Sequence, residues 1–324
     1  MVHIDGFEQF GRDQAPSNAL TRAQYTVAGA WSVVAGRNGP VAVSARGASL
    51  ARKMPWSTNT CSFGFAHIFD DRGSACSLKV GEQQVTLWMN PDTGLPQLND
   101  QAGGALPTKN RWYFYEVQLN RSTGVLTLAI NNRVDMTYQL ALPITAEEIE
   151  VGLGYVAPSV YRPGVVPAPV DNATKTFDDF YMRDGVRLGP IVVSTRFPTT
   201  DQHVEWFKAA VTGSHNESLS KLPPQPLDNY VAANAIGAED RFTSNNALTN
   251  NNPVLTTGVV VLARKAPTLD ARLGVFVGGA ASEREASTDV DGEWRTHYIF
   301  FDGRAPDTPA SILASEFGFT VSPP

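Results

Sequence analysis

The chain has 324 residues, of which 42% are hydrophobic and 18% charged, so it is long and apolar enough to bury folded cores. At a usual domain size of about 100–200 residues, two domains are expected. Lysine and arginine number 26 against 32 aspartate and glutamate, which gives a formal net charge of −6 without long runs of one sign. This balance disfavours nucleic acid and anionic membranes as partners.

No apolar stretch reaches the roughly 18 residues that a membrane-spanning helix needs, and the first residues lack the basic and then apolar pattern of a secretion signal. We therefore expect a protein made in the cytoplasm. The two cysteines are Cys61 and Cys76, and no Cys-x-x-Cys pair occurs. Two thiols are expected rather than a disulfide or a metal site.

The first half reads as short strands joined by turns. Turn formers are dense, with 27 glycines and 22 prolines, and the apolar residues between them mostly alternate. Strands are predicted, in chain order, over 62–69, 85–89, 111–119, 125–130 and from 134. The turn sequence 90–94 ends the second of these strands, and the last three form a β-meander.

The strand over 111–119 is apolar on both faces. Trp112 and Phe114 have the same parity and should share one face, whereas Val117 should lie on the other face with Tyr113 and Tyr115. We therefore predict that this strand is central in its sheet, and that a loop or another subunit covers its second face.

The later elements follow the same pattern, with few helices. A capping pattern over 145–148 and a proline-led stretch over 307–314 each predict a short helix. The four prolines within 157–170 predict a long surface loop, after which 176–182 forms the last strand of the first sandwich. The polar break at 183–190 predicts the domain boundary. Further strands are predicted over 191–194, 259–265, 272–277 and 296–301, together with an Asn-rich loop over 245–253.

The sequence contains no motif that assigns a reaction. It lacks a phosphate-binding loop, a zinc-binding helix motif and a nucleophile elbow, and its five histidines are scattered. Asp70-Asp71 and Asp178-Asp179 are adjacent pairs, which on a strand would point to opposite faces and so form no catalytic dyad by themselves. We expect no catalytic residue, no metal ligand and no cofactor.

Exposed aromatic side chains could stack on sugar rings. The six tryptophans are the candidates: Trp31, Trp56, Trp88, Trp112, Trp206 and Trp294. Trp88 and Trp112 lie within predicted strands, which favours the core. For Trp56, which follows Pro55 in a predicted loop, and for Trp206, a core position and a sugar contact both stay open.

Several short motifs resemble a known family. They are Ile4-Asp5-Gly6-Phe7-Glu8, Phe63-Gly64-Phe65, Leu126-Thr127-Leu128 after Thr123-Gly124, and Phe177-Asp178-Asp179-Phe180-Tyr181 before Asp184-Gly185. Together they resemble the laminin-G or concanavalin-like jelly roll of bacteriophage structural proteins. The second half is similar to the module that often follows it, through Leu227-Asp228-Asn229-Tyr230-Val231, Asp240-Arg241-Phe242, Val260-Val261-Leu262-Ala263-Arg264-Lys265, Pro306-Asp307-Thr308-Pro309 and Glu316-Phe317-Gly318-Phe319.

The resemblance implies an all-β protein, with a jelly-roll sandwich over 1–187 and a smaller, mostly-β domain over 188–324. It implies a non-enzymatic component of a tailed bacteriophage virion, made in the host bacterial cytoplasm and assembled with other virion proteins. A glycan-binding module that recognises the host surface is the alternative. Loop valines that cannot enter a sheet predict partner contacts within a homo-oligomer. The predicted partner or glycan contacts are Trp56, Val165, Val166 and Trp206.

Overall fold

A computed structural model of the chain describes residues 2–10, 17–39, 41–69, 73–90, 92–154, 174–209, 213–221, 229–245, 248, 252–278, 283–301 and 308–324. The chain divides into two compact units, Met1–Val193 and Ser194–Pro324. Strands dominate both units, so the all-β prediction is confirmed. The division lies at Val193 rather than at 187, because residues 188–193 pack on the first unit.

The first unit is a sandwich of two antiparallel sheets. Its helical elements are η1 (Glu8–Phe10) and α1 (Ser17–Arg22). Its strands are β1 (Val2–Asp5), β2 (Thr26–Ala28), β3 (Trp31–Val34), β4 (Ala42–Arg46), β5 (Ser49–Pro55), β6 (Thr60–Phe69), β7 (Ser74–Val80), β8 (Gln83–Met89), β9 (Pro96–Leu98), β10 (Gln101–Ala102), β11 (Tyr113–Asn120), β12 (Val125–Ile130), β13 (Arg133–Gln139), β14 (Glu148–Gly154) and β15 (Thr174–Arg183).

Sheet A has the strand order β13-β12-β11-β6-β15-β4-β3, with β1 paired to β15, and sheet B has the order β10-β9-β8-β7-β14-β5-β2. Alternate residues of each strand are buried between the sheets. From sheet A, the ring of Phe65 stacks on Tyr115 and meets Phe177 edge-on, both at 5.7 Å between centroids. From sheet B, Leu78 and Val151 are buried. The predicted jelly-roll sandwich is therefore confirmed.

The meander follows its prediction. β11 lies between β6 and β12, so it is central in sheet A. The hairpin into β13 turns at Asn131 and Asn132, which both have positive φ, as a tight two-residue turn requires. Trp112 and Phe114 belong to one cluster on the outward face, whereas Tyr115 stacks with Phe65 on the inward face.

Two predicted elements are wrong. No helix forms at 145–148, because β14 begins at Glu148 and the backbone N–H of Trp56 donates to the Glu147 carbonyl at 2.7 Å. Burial of the alternating apolar residues of β14 outweighs the capping pattern. No strand forms at 191–194, because Ile191 and Val193 pack onto the face of sheet A instead of pairing with an edge.

The second unit has three small sheets. Its strands are β16 (Thr200–Val204), β17 (Phe207–Ala209), β18 (Tyr230–Ala232), β19 (Glu239–Thr243), β20 (Gly258–Ala263), β21 (Arg272–Gly278), β22 (Arg284–Thr288), β23 (Arg295–Phe300) and β24 (Glu316–Ser322), and its helices are α2 (His215–Leu219) and α3 (Pro309–Leu313). The sheet orders are β16-β19-β24-β21-β22, β17-β18 and β20-β23. Phe242, Val275 and Phe319 lie in the common core. Thr308 caps α3 ahead of Pro309, which confirms that predicted helix.

Some predictions fall outside the described residues. These are the loop over 157–170 with Val165 and Val166, Asp70-Asp71, and most of the Asn-rich loop. Cys61 and Cys76 are free thiols, as predicted, and both are buried. Within the described ranges, no helix is long and apolar enough to cross a membrane. No group of three or more metal-ligating side chains occurs in the same ranges.

Candidate functional site

The outward face of sheet A is closed by the segment 184–193, which we call the covering segment. Leu188, Ile191 and Val193 of this segment pack against the cluster of Phe114 and Tyr181. A Cβ at Gly64 would lie 2.5 Å from the Tyr181 ring, so the glycine is what lets this ring lie close to the sheet. The apolar part of this face is therefore unavailable to a ligand.

The covering segment does not pair with a strand, so side chains of sheet A accept hydrogen bonds from its backbone N–H groups instead. Glu116, which is fully buried, accepts from the Tyr181 hydroxyl at 2.7 Å and from the Gly189 N–H at 2.8 Å. The same hydroxyl accepts from the Leu188 N–H at 3.1 Å, and the Asp179 carboxylate accepts from the Val193 N–H at 2.7 Å. These bonds satisfy backbone donors that would otherwise be buried without partners.

Asp178 and Asp179 converge instead of pointing apart. Asp178 accepts from the Arg37 N–H at 2.7 Å, and Asp179 lies 3.2 Å from the Arg37 guanidinium. A bulge in β15 with φ of 50° at Asp179 breaks the alternation that sequence spacing predicts. Burial, and then the charge of Asp179, raise the pKa of Asp178 to about 7. Asp178 thus holds the backbone of Arg37, and Asp179 holds both the Arg37 side chain and the covering segment.

The outward face of sheet B has a row of small residues across five strands. The register aligns Thr26 of β2, Ala51 of β5, Gly152 of β14, Ser77 of β7 and Thr86 of β8. These residues alternate with the buried core positions of their strands, so they face outward. At about 4.8 Å for each of the four steps between strands, the row is about 19 Å long.

Larger polar side chains border this row on one side. Lys53, Glu150, Lys79 and Gln84 are aligned in the neighbouring register row. Lys53 donates to Glu148 at 2.8 Å, and that hydrogen bond raises the pKa of Lys53. Lys79 is exposed and has no ion-pair partner in the part of the chain that the structure describes.

Trp88 and Gln97 border the row on its other side, where β8 pairs with β9. Trp88 is half-buried, and its indole N–H donates to the Asn99 carbonyl at 2.7 Å, which fixes the orientation of the ring. Trp88 therefore lies on the outward face and not in the core between the sheets. We call the row of small residues and its two borders the trough.

The floor of the trough has polar groups. Ser77 and Thr86 are buried although they face outward. The Thr86 hydroxyl has no hydrogen-bond partner among the described residues. A buried hydroxyl without a partner is unusual in a folded protein.

Trp56 and Trp206, for which the sequence allowed either a core position or a sugar contact, both pack toward the interior. Trp56 is 2% exposed, and the Arg121 guanidinium lies over its ring at 4.1 Å from the centroid. Trp206 meets Phe319 edge-on at 4.7 Å and donates its indole N–H to the Ala238 carbonyl. The Trp56 ring therefore offers no free face to a sugar, whereas Trp206 is half-buried. The neighbouring Phe207, which the sequence analysis missed, is the outward aromatic residue and is 53% exposed.

Among the described residues of the second unit lies a buried His–carboxylate pair. His215 Nδ1 lies 2.6 Å from the Asp240 carboxylate, which also accepts from the N–H groups of Glu205 and Trp206. Asp201 accepts from the first two N–H groups of α2. These bonds fasten α2 to β16 and β19, so we assign the pair a structural role.

No family model and no curated protein matches the chain. Among solved structures, an alginate lyase in complex with an alginate tetrasaccharide is 14% identical, with a TM-score of 0.40 over 58% of this chain and 98% of that chain. Lectin II from Ulex europaeus is 11% identical, with a TM-score of 0.37 over 56% and 97%. A sialidase is 11% identical, with a TM-score of 0.33 over 47% of this chain, which spans 17% of the sialidase's length.

Proposed function

We propose that the protein is a glycan-binding module and that the trough on sheet B holds the glycan. The observation that supports this most is a fixed, half-buried Trp88 beside a 19 Å row of small residues, about the shape an extended chain needs when it crosses a sheet. Sugars need both an aromatic face for their C–H groups and hydrogen-bonding groups for their hydroxyls.

The borders of the trough supply those hydrogen bonds. The amide of Gln97 and the ammonium of Lys79 lie on opposite sides of the small residues, and the Glu150 carboxylate lies beside Lys79 in the register. Neutral, cationic and anionic groups are thus distributed over the two borders of the trough. Such a mixture suits the many donors and acceptors of a glycan better than it suits a uniformly charged polymer.

The virion role, with its oligomeric assembly and protein partners, stays a prediction from the sequence resemblance. Host-surface recognition by a virion protein would join the two roles. Co-purification of the chain with assembled particles, at a fixed stoichiometry, tests that part separately from glycan binding. The expectation that the chain is not an enzyme is tested by measuring cleavage of any glycan that it binds.

A glycan array followed by titration calorimetry tests the trough. We expect the full chain to bind at least one class of oligosaccharide, and Trp88→Ala to weaken that binding at least tenfold because the stacking face is lost. Lys79→Ala changes an exposed side chain and should weaken binding several-fold while the melting temperature stays constant.

Lys109→Ala is the matched control, because Lys109 is also an exposed lysine of the first unit but lies outside the trough. It should bind like the unmodified chain. The proposal fails if no glycan on the array is bound. It also fails if the Trp88 and Lys79 variants, shown to be folded by circular dichroism, bind as tightly as the control.

A further inference from the structure

The second unit has an outward aromatic surface that the proposed function does not use. In the β17–β18 pair, Val231 packs on the core, so Tyr230 and Ala232 face outward. Phe207 pairs with Ala232 and shares that face. Phe207 and Tyr230 are diagonal neighbours on adjacent strands, at about 7 Å, which is within reach for aromatic side chains.

A tryptophan and an arginine continue this surface. Trp294 meets the Tyr230 ring edge-to-face at 5.8 Å between centroids. The Arg264 guanidinium lies over the Trp294 ring at 5.1 Å from its centroid. Tyr230, Trp294 and Arg264 are thus in contact with one another in turn, and together with Phe207 we call them the aromatic patch.

Arg264 is exposed and makes no ion pair with any residue that the structure describes. The cations close to it are engaged, since Arg295 pairs with Asp291 at 3.0 Å and Lys265 lies 3.9 Å from Asp270. The contact with the Trp294 ring uses the face of the guanidinium region and not its N–H donors, none of which has a partner among the described residues. A planar guanidinium with free N–H donors can form two parallel hydrogen bonds to a carboxylate.

We infer that the aromatic patch is a second binding site, independent of the trough, for a carboxylate-bearing sugar such as a uronic acid residue. Arg264 would hold the carboxylate through two parallel hydrogen bonds. Phe207 and Tyr230 would stack on the C–H face of the same sugar or of its neighbour. The combination selects against neutral sugars, which leave the guanidinium unpaired, and against simple anions, which leave the aromatic rings exposed.

Titration of the full chain with a short oligogalacturonate, and with the same oligosaccharide after its carboxylates are reduced to alcohols, tests the inference. We expect the acid to bind and the reduced form to bind at least tenfold more weakly. Arg264→Gln should weaken binding of the acid at least tenfold. Arg264→Lys should restore it only in part, because an ammonium cannot form the paired bonds.

Further variants separate this site from the trough and from charge alone. Phe207→Ala should weaken binding several-fold, whereas Arg133→Gln, which changes an exposed arginine of the first unit, should leave it unchanged. Equal binding of the acidic and reduced sugars overturns the inference, as does unchanged binding in Arg264→Gln. Loss of binding in Trp88→Ala alone assigns the sugar to the trough and also overturns it. Equal affinity for oligoglutamate shows a site for charge and not for sugar.

Discussion

Tyr181→Phe isolates the polar anchor of the covering segment. Tyr181 and Glu116 are both fully buried, and the hydroxyl donates to the carboxylate while it accepts from the Leu188 N–H. A hydrogen bond to a charged group contributes about 1.5–3 kcal/mol, and a buried N–H left without an acceptor costs about 1–3 kcal/mol. Since the phenyl ring still fills its place, the free energy of unfolding should fall by about 2–4 kcal/mol.

Urea unfolding of the full chain, followed by tryptophan fluorescence, measures this loss. Hydrogen exchange provides a local measure, because the amides of residues 188–193 should exchange faster in the variant. Tyr113→Phe is the matched control, since its hydroxyl accepts one exposed N–H bond, from Thr108, and should contribute less than about 1 kcal/mol. Unchanged stability together with unchanged exchange at 188–193 would refute the role of the anchor.

The remaining predictions concern packing, charge and capping. Trp112→Ala should destabilise the first unit by about 2–3 kcal/mol in urea unfolding, less than a fully buried tryptophan, because Trp112 is half-buried against the outward cluster. In the folded chain the pKa of Asp178 is raised from 3.8 to about 7. Between these two pH values the folded chain binds more protons than the unfolded chain. The contribution of Asp178 to stability is therefore full below pH 4 and is lost as the pH rises through 7. Asp179→Asn should flatten this loss in melting curves recorded from pH 4 to 8, because it removes the neighbouring negative charge. Thr308→Ala should lower the free energy of unfolding of the second unit by about 1 kcal/mol in urea unfolding, because α3 loses the side-chain acceptor at its N-cap.

Alternation and turn chemistry are sufficient to predict the strands whose two faces differ clearly. β6 follows from the alternation of Phe63 and Phe65 with small residues, and the turn at Asn131 and Asn132 follows from the tolerance of asparagine for positive φ. The covered second face of β11 follows from its aromatic residues of both parities. In each case a local pattern and the final packing agree.

The failed predictions are those in which tertiary contacts outweigh a local pattern. Residues 145–148 offer a capping pattern, but Ile149 begins a run of alternating apolar residues that is buried within sheet B. Ile191 and Val193 suit a strand, yet the face of sheet A offers them burial without a ladder. The convergence of Asp178 and Asp179 depends on a bulge, which residue spacing alone does not reveal.

The trough could not be predicted from the sequence, for a different reason. Ala51, Gly152 and Ser77 are small residues with no chemistry of their own, and only the strand register places them in one row. Trp88 was assigned to the core because a tryptophan in a strand is usually buried. Its parity opposite to Leu87 and Met89 is the signal that would have placed it outward.

The covering segment also determines which face of the sandwich can bind a ligand. The outward face of sheet A has large aromatic residues, which would form an exposed apolar patch if residues 188–193 were removed. The same removal would leave the Glu116 carboxylate without its Gly189 partner. The outward face of sheet B has small and polar residues, which need no cover in water. A ligand therefore meets a closed face on sheet A, because folding itself requires that face to be covered.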